Sequence, residues 1–314
     1  MRRPHLRAVD LPNEPKLRVV GGSANRADAA FTHIWLRGDW IAIVSHQQIW
    51  SLPIPLAGEA TLLSENWDAL PAADGNTVWI QHPSGDRWVR VNGSGSISGP
   101  LVVRQPGERL EAVDGQTALV RDGDAQTLRL RRPGQPDLAV GKGVAVCQAG
   151  GLAFVRSDLG ATLSVIELGT GNRHDIHRSG FGCWGMLASA SPDETSVAIG
   201  CKLGPAPRPR PPNISMAEWM GHPDNPRSTD DRNIMVLIAV PSLSLTLLDG
   251  VFKDFAGTPA WSTAGEGFAF TIPFERHTVG WVDRAANEVR RVREPNQSPV
   301  PICDATELIG RGID

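Results

Sequence analysis

The chain has 314 residues, 41% of them apolar, and a net charge of −3. That is enough apolar side chain for a core and gives no bulk attraction to nucleic acid. No apolar run approaches the ~18 residues of a membrane span, so neither nucleic acid nor a membrane is an expected partner.

Glycine and proline are abundant, 33 and 25 residues, which suits many short strands and tight turns. Arg2-Arg3 would suit a twin-arginine signal, but no hydrophobic segment follows. His5–Pro12 (HLRAVDLP) alternates like a strand instead, and Lys16–Gly22 (KLRVVGG) reads as a second one. A cytoplasmic, monomeric protein is the simplest expectation.

From Thr32 onward one pattern recurs seven times: an apolar run, a tight turn, and a second apolar run. The turns fall at Gly38-Asp39, Asp74-Gly75, Asp114-Gly115, Gly150-Gly151, Asp193, Gly265 and Asp304. Asp-Gly and Gly-Gly between apolar runs signal hairpins, because such turns need residues that tolerate positive φ. The spacing is close to the ~40–45 residue period of four-stranded propeller blades, except that Asp193 and Gly265 lie nearly twice as far apart. Further strand pairs follow the hairpins, among them Asp86–Asn92 with Gly99–Arg104, Gln126–Arg132 with Asp137–Gly141, and Thr162–Leu168 with Asn172–Ile176.

The seventh copy runs out after two strands, and the two N-terminal strands supply the missing half. The expected fold is therefore all-β: a single seven-bladed β-propeller over residues 1–314, its last blade built from two strands of each terminus. Six blades are the alternative. Closure of this kind removes an exposed sheet edge and ties down the ends.

Two copies carry a family likeness. SASPDETSVAIG (Ser189–Gly200) and PAWSTAGEGFAF (Pro259–Phe270) resemble the WSPDG…IAF motif of TolB-like, WD40-like propellers. The resemblance implies the fold and carries no catalytic residues.

In such a blade the first-to-second and third-to-fourth connections share one end of the ring, here the end of the tight turns. The other end gathers the irregular loops, where binding residues usually sit. The 202–233 insertion belongs there. It is Pro/Arg-rich at first, then has a capping-box form at Ser215-Met216-Ala217-Glu218, with Trp219 and Met220 as apolar anchors of a lid or partner-binding arm.

One position past the second strand of each blade reads Ser45, Gln81, Arg121, Arg156, Cys201, Ile272 and Arg311. Arg121, Arg156 and Arg311 at equivalent places would form a basic ring suited to a carboxylate or phosphate, or would form ion pairs with neighbours such as Asp122, Asp158 and Asp314. His46, His82 and His277, with Asp86, Asp122, Asp124 and Asp158, occupy the same loops and under an enzyme reading would hold a divalent ion, though their spacing carries no metal signature. The cysteines, Cys147, Cys183, Cys201 and Cys303, read as buried thiols, and a Cys147–Cys303 disulfide is not expected.

No P-loop, dinucleotide fingerprint, G-x-S-x-G elbow or H-E-x-x-H occurs, and nothing pairs a nucleophile with a base. The expected function is recognition without catalysis or cofactor: a protein segment or small acidic ligand bound on the loop-rich face. Exposed Trp67, Trp184 or Trp219 would mark a protein-binding surface. The alternative is a lyase or hydrolase, with or without a metal, acting at the channel mouth on a small acidic or saccharide-like substrate.

Overall fold

The computed structural model describes residues 6–10, 17–22, 31–45, 48–54, 60–66, 68–123, 125–156, 162–176, 183–203, 211, 213–215, 217–218, 232–248, 256–262, 264–271, 278–285, 288–293 and 309–312. These form a β-propeller. Strands β1 (Leu6–Asp10) and β2 (Leu17–Gly22) come first. Six four-stranded up-and-down sheets follow in chain order.

The first is β3 (Phe31–Arg37), β4 (Trp40–Ser45), β5 (Gln48–Pro53) and β6 (Thr61–Ser64). The second is β7 (Ala69–Pro71), β8 (Val78–Gln81), β9 (Arg87–Val91) and β10 (Ile97–Val103). The third is β11 (Glu108–Asp114), β12 (Thr117–Asp122), β13 (Thr127–Arg131) and β14 (Leu138–Lys142). Next come β15 (Val144–Ala149), β16 (Leu152–Arg156), β17 (Leu163–Glu167) and β18 (Arg173–Ile176), and then β19 (Cys183–Ala190), β20 (Ser196–Leu203), β21 (Arg232–Ala239) and β22 (Ser244–Leu247). The sixth is β23 (Ala256–Trp261), β24 (Gly267–Thr271), β25 (Thr278–Asp283) and β26 (Glu288–Arg293). A last strand, β27 (Ile309–Gly312), joins a three-stranded sheet in the order β1-β2-β27.

The mixed sheet differs from expectation in its order. As third and fourth strands, the N-terminal pair would present β1 to the C-terminal strand, yet β2 pairs with it, Leu17 opposite Gly312 and Val20 opposite Ile309. The second strand expected from the C-terminus lies outside the described residues.

The inner strands stand side by side around the axis: β7 with β11, β11 with β15, β15 with β19, β19 with β23, β23 with β27, and β27 with β3. Adjacent sheets cover each other's faces, so their middle strands are apolar on both sides. Trp40–Val44 on β4 is buried throughout. Five buried clusters among the described residues each fill the gap between one sheet and the next. Leu119, Leu128 and Leu130 of one blade meet Ala153, Val155 and Ile166 of the following one. Met235 and Leu237 meet Phe268 and Phe270. Each large side chain so buried contributes roughly 1.5–3 kcal/mol.

The tight-turn end also holds neighbouring blades together by polar staples. Trp40 Nε1 donates to Asn76 O at 2.9 Å, and Arg284 pairs with Asp193 at 2.8 Å. Gln148 does so between two inner strands: its Nε2 donates to Val113 O at 2.7 Å, and its Oε1 accepts from Val113 N at 2.8 Å. The turn glycines take the positive φ that the sequence demands, +53° at Gly38 and +70° at Gly75.

The 202–233 insertion connects β20 to β21, whose paired ends Leu203 and Arg232 are at the loop-rich end. Most of it lies outside the described residues. Its capping box is formed: Ser215 N and Oγ donate to Glu218 Oε2 at 2.9 and 2.7 Å, and Glu218 N donates back to Ser215 Oγ at 3.2 Å.

A candidate anion site between two blades

The charge that matters gathers where the β7–β10 and β11–β14 blades meet the loop-rich end. The inner strand β11 opens this region with an irregularity. Leu110 pairs with Val120 and Ala112 with Leu119, so Glu111 is an extra residue without a ladder partner. A bulge re-aims the side chain it carries. Here it turns Glu111 inward, where only 7% of the residue is exposed.

Two groups receive this carboxylate. Arg121 Nε donates to Glu111 Oε1 at 2.6 Å, and Ala145 N, from the inner strand of the next blade, donates to Oε2 at 2.7 Å. Arg121 is itself 9% exposed. Burial pushes the Glu111 carboxyl above its usual range, the Arg121 guanidinium opposes the shift, and the nearby Asp68 adds to it.

Asp68 precedes β7 and reaches the same place from the neighbouring blade. Its Oδ2 accepts from Trp88 Nε1 at 3.4 Å, and its backbone N donates to Asn66 Oδ1 at 3.1 Å. Asn66 in turn donates to Gln81 Oε1. Gln81 and Arg121 hold equivalent ends of the second strands β8 and β12. Burial raises the Asp68 carboxyl above its usual value, against the Trp88 hydrogen bond and the charges of Arg109, Arg104 and Arg121.

Arg104 lies over the Trp88 ring, 5.7 Å from its centre, and is tethered by Nη1 to Gly85 O at 2.9 Å. Arg109 stands directly opposite Arg121 in the β11–β12 ladder. Three guanidinium groups and two carboxylates thus lie within electrostatic reach of one another, three positive charges against two negative when all are ionised. Such an arrangement can accept a carboxylate or a phosphate by charge-assisted hydrogen bonds. Its two raised carboxyls are also groups that can carry a proton.

The residues expected to form the site fare differently. Arg121 is in the cluster, held by Glu111; of the aspartates expected as alternative partners, Asp122 faces another arginine and Asp158 and Asp314 lie outside the described residues. Arg156 ends β16 half-buried, opposite Val144, at the register position equivalent to that of Arg121. Arg311 stands opposite Arg18 in the backbone ladder, and its side chain lies outside the described residues, as do His46, His277, Trp67, Trp219, Asp124, Asp158, Asp314 and the side chain of Trp184.

His82 is half-buried on the β8–β9 turn, where its Nδ1 accepts from Ser84 N at 3.2 Å and Ser84 Oγ donates to Asp86. Asp122 faces Arg129 at 3.9 Å. Among the described residues no three His, Cys, Asp or Glu side chains gather as a metal site. Cys147 is a free thiol, pushed up by burial.

Asp68, Glu111, Arg104 and Arg109 were not singled out by the sequence. The only available signal was their position beside the equivalent ends Gln81 and Arg121. A bulge without glycine leaves no mark in LEAVDG.

No protein-family model matches the sequence, and no curated protein does. Solved structures do match in fold. Kuenenia stuttgartiensis hydrazine synthase superposes with a TM-score of 0.52 at 12% identity, over 87% of this chain and 90% of that one. Oligogalacturonate lyase from Vibrio parahaemolyticus gives 0.53 at 9% identity, over 95% and 86%. A functionally unknown protein from Desulfotomaculum acetoxidans gives 0.52 at 11%, over the whole of both chains. What this chain shares with all three is the β-propeller fold.

Proposed function

We propose that the protein is a recognition propeller that binds a small acidic ligand on its loop-rich face, at the Arg104–Arg109–Arg121 cluster. The observation that carries this reading is that Arg104 and Asp68 meet on the same Trp88 indole while Arg109 stands opposite Arg121 in the adjoining ladder, all three arginines acting electrostatically on the half-buried Asp68. Arginine suits a planar anion because its forked donors match a carboxylate or phosphate. The ring around this site is read as seven-bladed, with the mixed sheet as the closing blade. The position of β27 between β23 and β3 supports that reading. The paired ends of β20 and β21 that the insertion connects, Leu203 and Arg232, are at the same end of the ring, which suits a covering arm or a surface for a protein segment.

A lyase or hydrolase is the second reading. The raised carboxyls of Asp68 and Glu111 favour it, since a proton-carrying acid beside arginines suits acid–base work on an acidic substrate. Oligogalacturonate lyase shares the fold, and that likeness is of fold alone.

Calorimetric titration with a matched pair, malonate and malonamide, tests the proposal. The acid should bind at least about tenfold more tightly, as expected for one charge-assisted contact of roughly 1.5–3 kcal/mol. Arg109→Ala should remove most of that preference. Equal affinity for the two would contradict it.

A further inference from the structure

We infer that an acidic ligand enters the cluster together with a proton, which settles on Asp68. The inference rests on the anion-binding reading and adds its regulation. It begins from how differently the two carboxylates are held. Glu111 is committed at both oxygens, to Arg121 and to the backbone of the next blade. Asp68 receives one long hydrogen bond, from Trp88 at 3.4 Å, and among the described residues its other oxygen accepts none.

Among the described residues, the charged groups that act on Asp68 all belong to the site. Arg104 comes from the β10–β11 connection, Arg109 and Glu111 from β11, and Arg121 from β12. An anion attracted by the arginines therefore arrives beside two carboxylates already there. Like charges at such range cannot all stay ionised, and the least committed one takes the proton. Protonation changes Asp68 from an acceptor that repels the ligand into an O–H donor that can bind it. Burial already tilts the group this way before any ligand arrives.

The exchange has a sign. A ligand that binds with one proton loses affinity as pH rises above the free carboxyl's pKa, by up to about tenfold per pH unit. Asp68 thereby also selects: fully ionised anions bind best where the solution can supply the proton.

Sulfate is a suitable probe, because its own charge is constant from pH 4.5 to 8. Its Kd should be measured by calorimetry across that range, in buffers of differing ionisation enthalpy, for the wild type and Asp68→Asn. The expected result is a wild-type Kd that rises with pH, with about one proton taken up per sulfate. Asp68→Asn should bind sulfate with a flat profile and, at pH 8, at least tenfold more tightly than the wild type. A flat wild-type profile overturns the inference and leaves the anion site standing. A pH dependence that survives in Asp68→Asn also overturns it, since the proton then belongs elsewhere, with Glu111 first in line. No sulfate binding by either protein at any pH overturns both the inference and the site.

Discussion

The tight turns and the cluster between two blades hold their acids in opposite ways. At the tight-turn end Asp74 accepts from Asn76 N, Thr77 N and Thr77 Oγ1 and pairs with Arg90 at 3.3 Å. Although burial pushes the other way, these partners hold its carboxyl below the usual range. Asp193 is treated likewise: burial raises it, and Ser191, Arg284 and Thr195 more than reverse this. In the cluster between two blades at the loop-rich end burial prevails instead, and Asp68 and Glu111 are raised, whereas Asp86 on the nearby β8–β9 turn is lowered by its hydrogen bond from Ser84. One end uses charge to fasten turns and neighbouring blades. The other gathers buried carboxyls raised above their usual range, one of them, Asp68, held by a single long hydrogen bond, which is common where a protein binds or reacts.

The largest expected effect breaks that second end. Arg121→Ala would leave Glu111 buried without its counter-ion and should cost about 3–5 kcal/mol in denaturant unfolding. It is therefore a poor probe of binding, and Arg109→Ala is the better one. A loss below about 1 kcal/mol would mean that Glu111 is relieved without Arg121, by water or by taking up a proton.

Gln148→Ala tests a staple between inner strands. It removes two hydrogen bonds and leaves Val113 N and O unpaired, so a loss of about 1–3 kcal/mol is expected. The same unfolding experiment reads it.

Asp74→Ala should cost less, about 1–2 kcal/mol at neutral pH. Its pH dependence has a definite sign. A carboxyl lowered in the folded state contributes stability above its unfolded pKa and loses it as pH falls through the folded value. Wild type and variant should therefore converge in stability in acid, with the gap closing below about pH 4.

Asp68→Asn should have the smallest effect and the opposite sign. A carboxyl raised in the folded state weakens the fold while ionised, and the penalty is relieved as pH falls through the folded value. The variant should melt slightly higher than wild type at pH 8, and the difference should vanish in acid. A lower melting temperature at pH 8 would show that the ionised carboxylate is a net support.

The tight-turn end was legible because its chemistry is local. Gly38, Gly75, Gly115, Gly150 and Gly265 all sit at positive φ, and glycine is the residue that such turns require. The SPDE turn was equally plain, and there the left-handed residue is Glu194 at +54°. The capping box of Ser215 and Glu218 could be read for the same reason. The site resisted reading because its parts are far apart in sequence. Asp68 follows a loop with no repeat signature. Glu111 lies in a run that looks like simple alternation, and only the skipped ladder partner turns it inward. Arg121 was found by its register, but its partner is set by that bulge.

The most direct test is a ¹³C carboxyl NMR titration that follows Asp68, Glu111, Asp74 and Asp193 in one sample. Asp68 and Glu111 should titrate above the ordinary carboxyl range, and Asp74 and Asp193 below it. Added sulfate should move the Asp68 midpoint further up and leave Asp74 and Asp193 where they are. An Asp68 midpoint at or below that of Asp74, or one that sulfate does not move, would contradict the account.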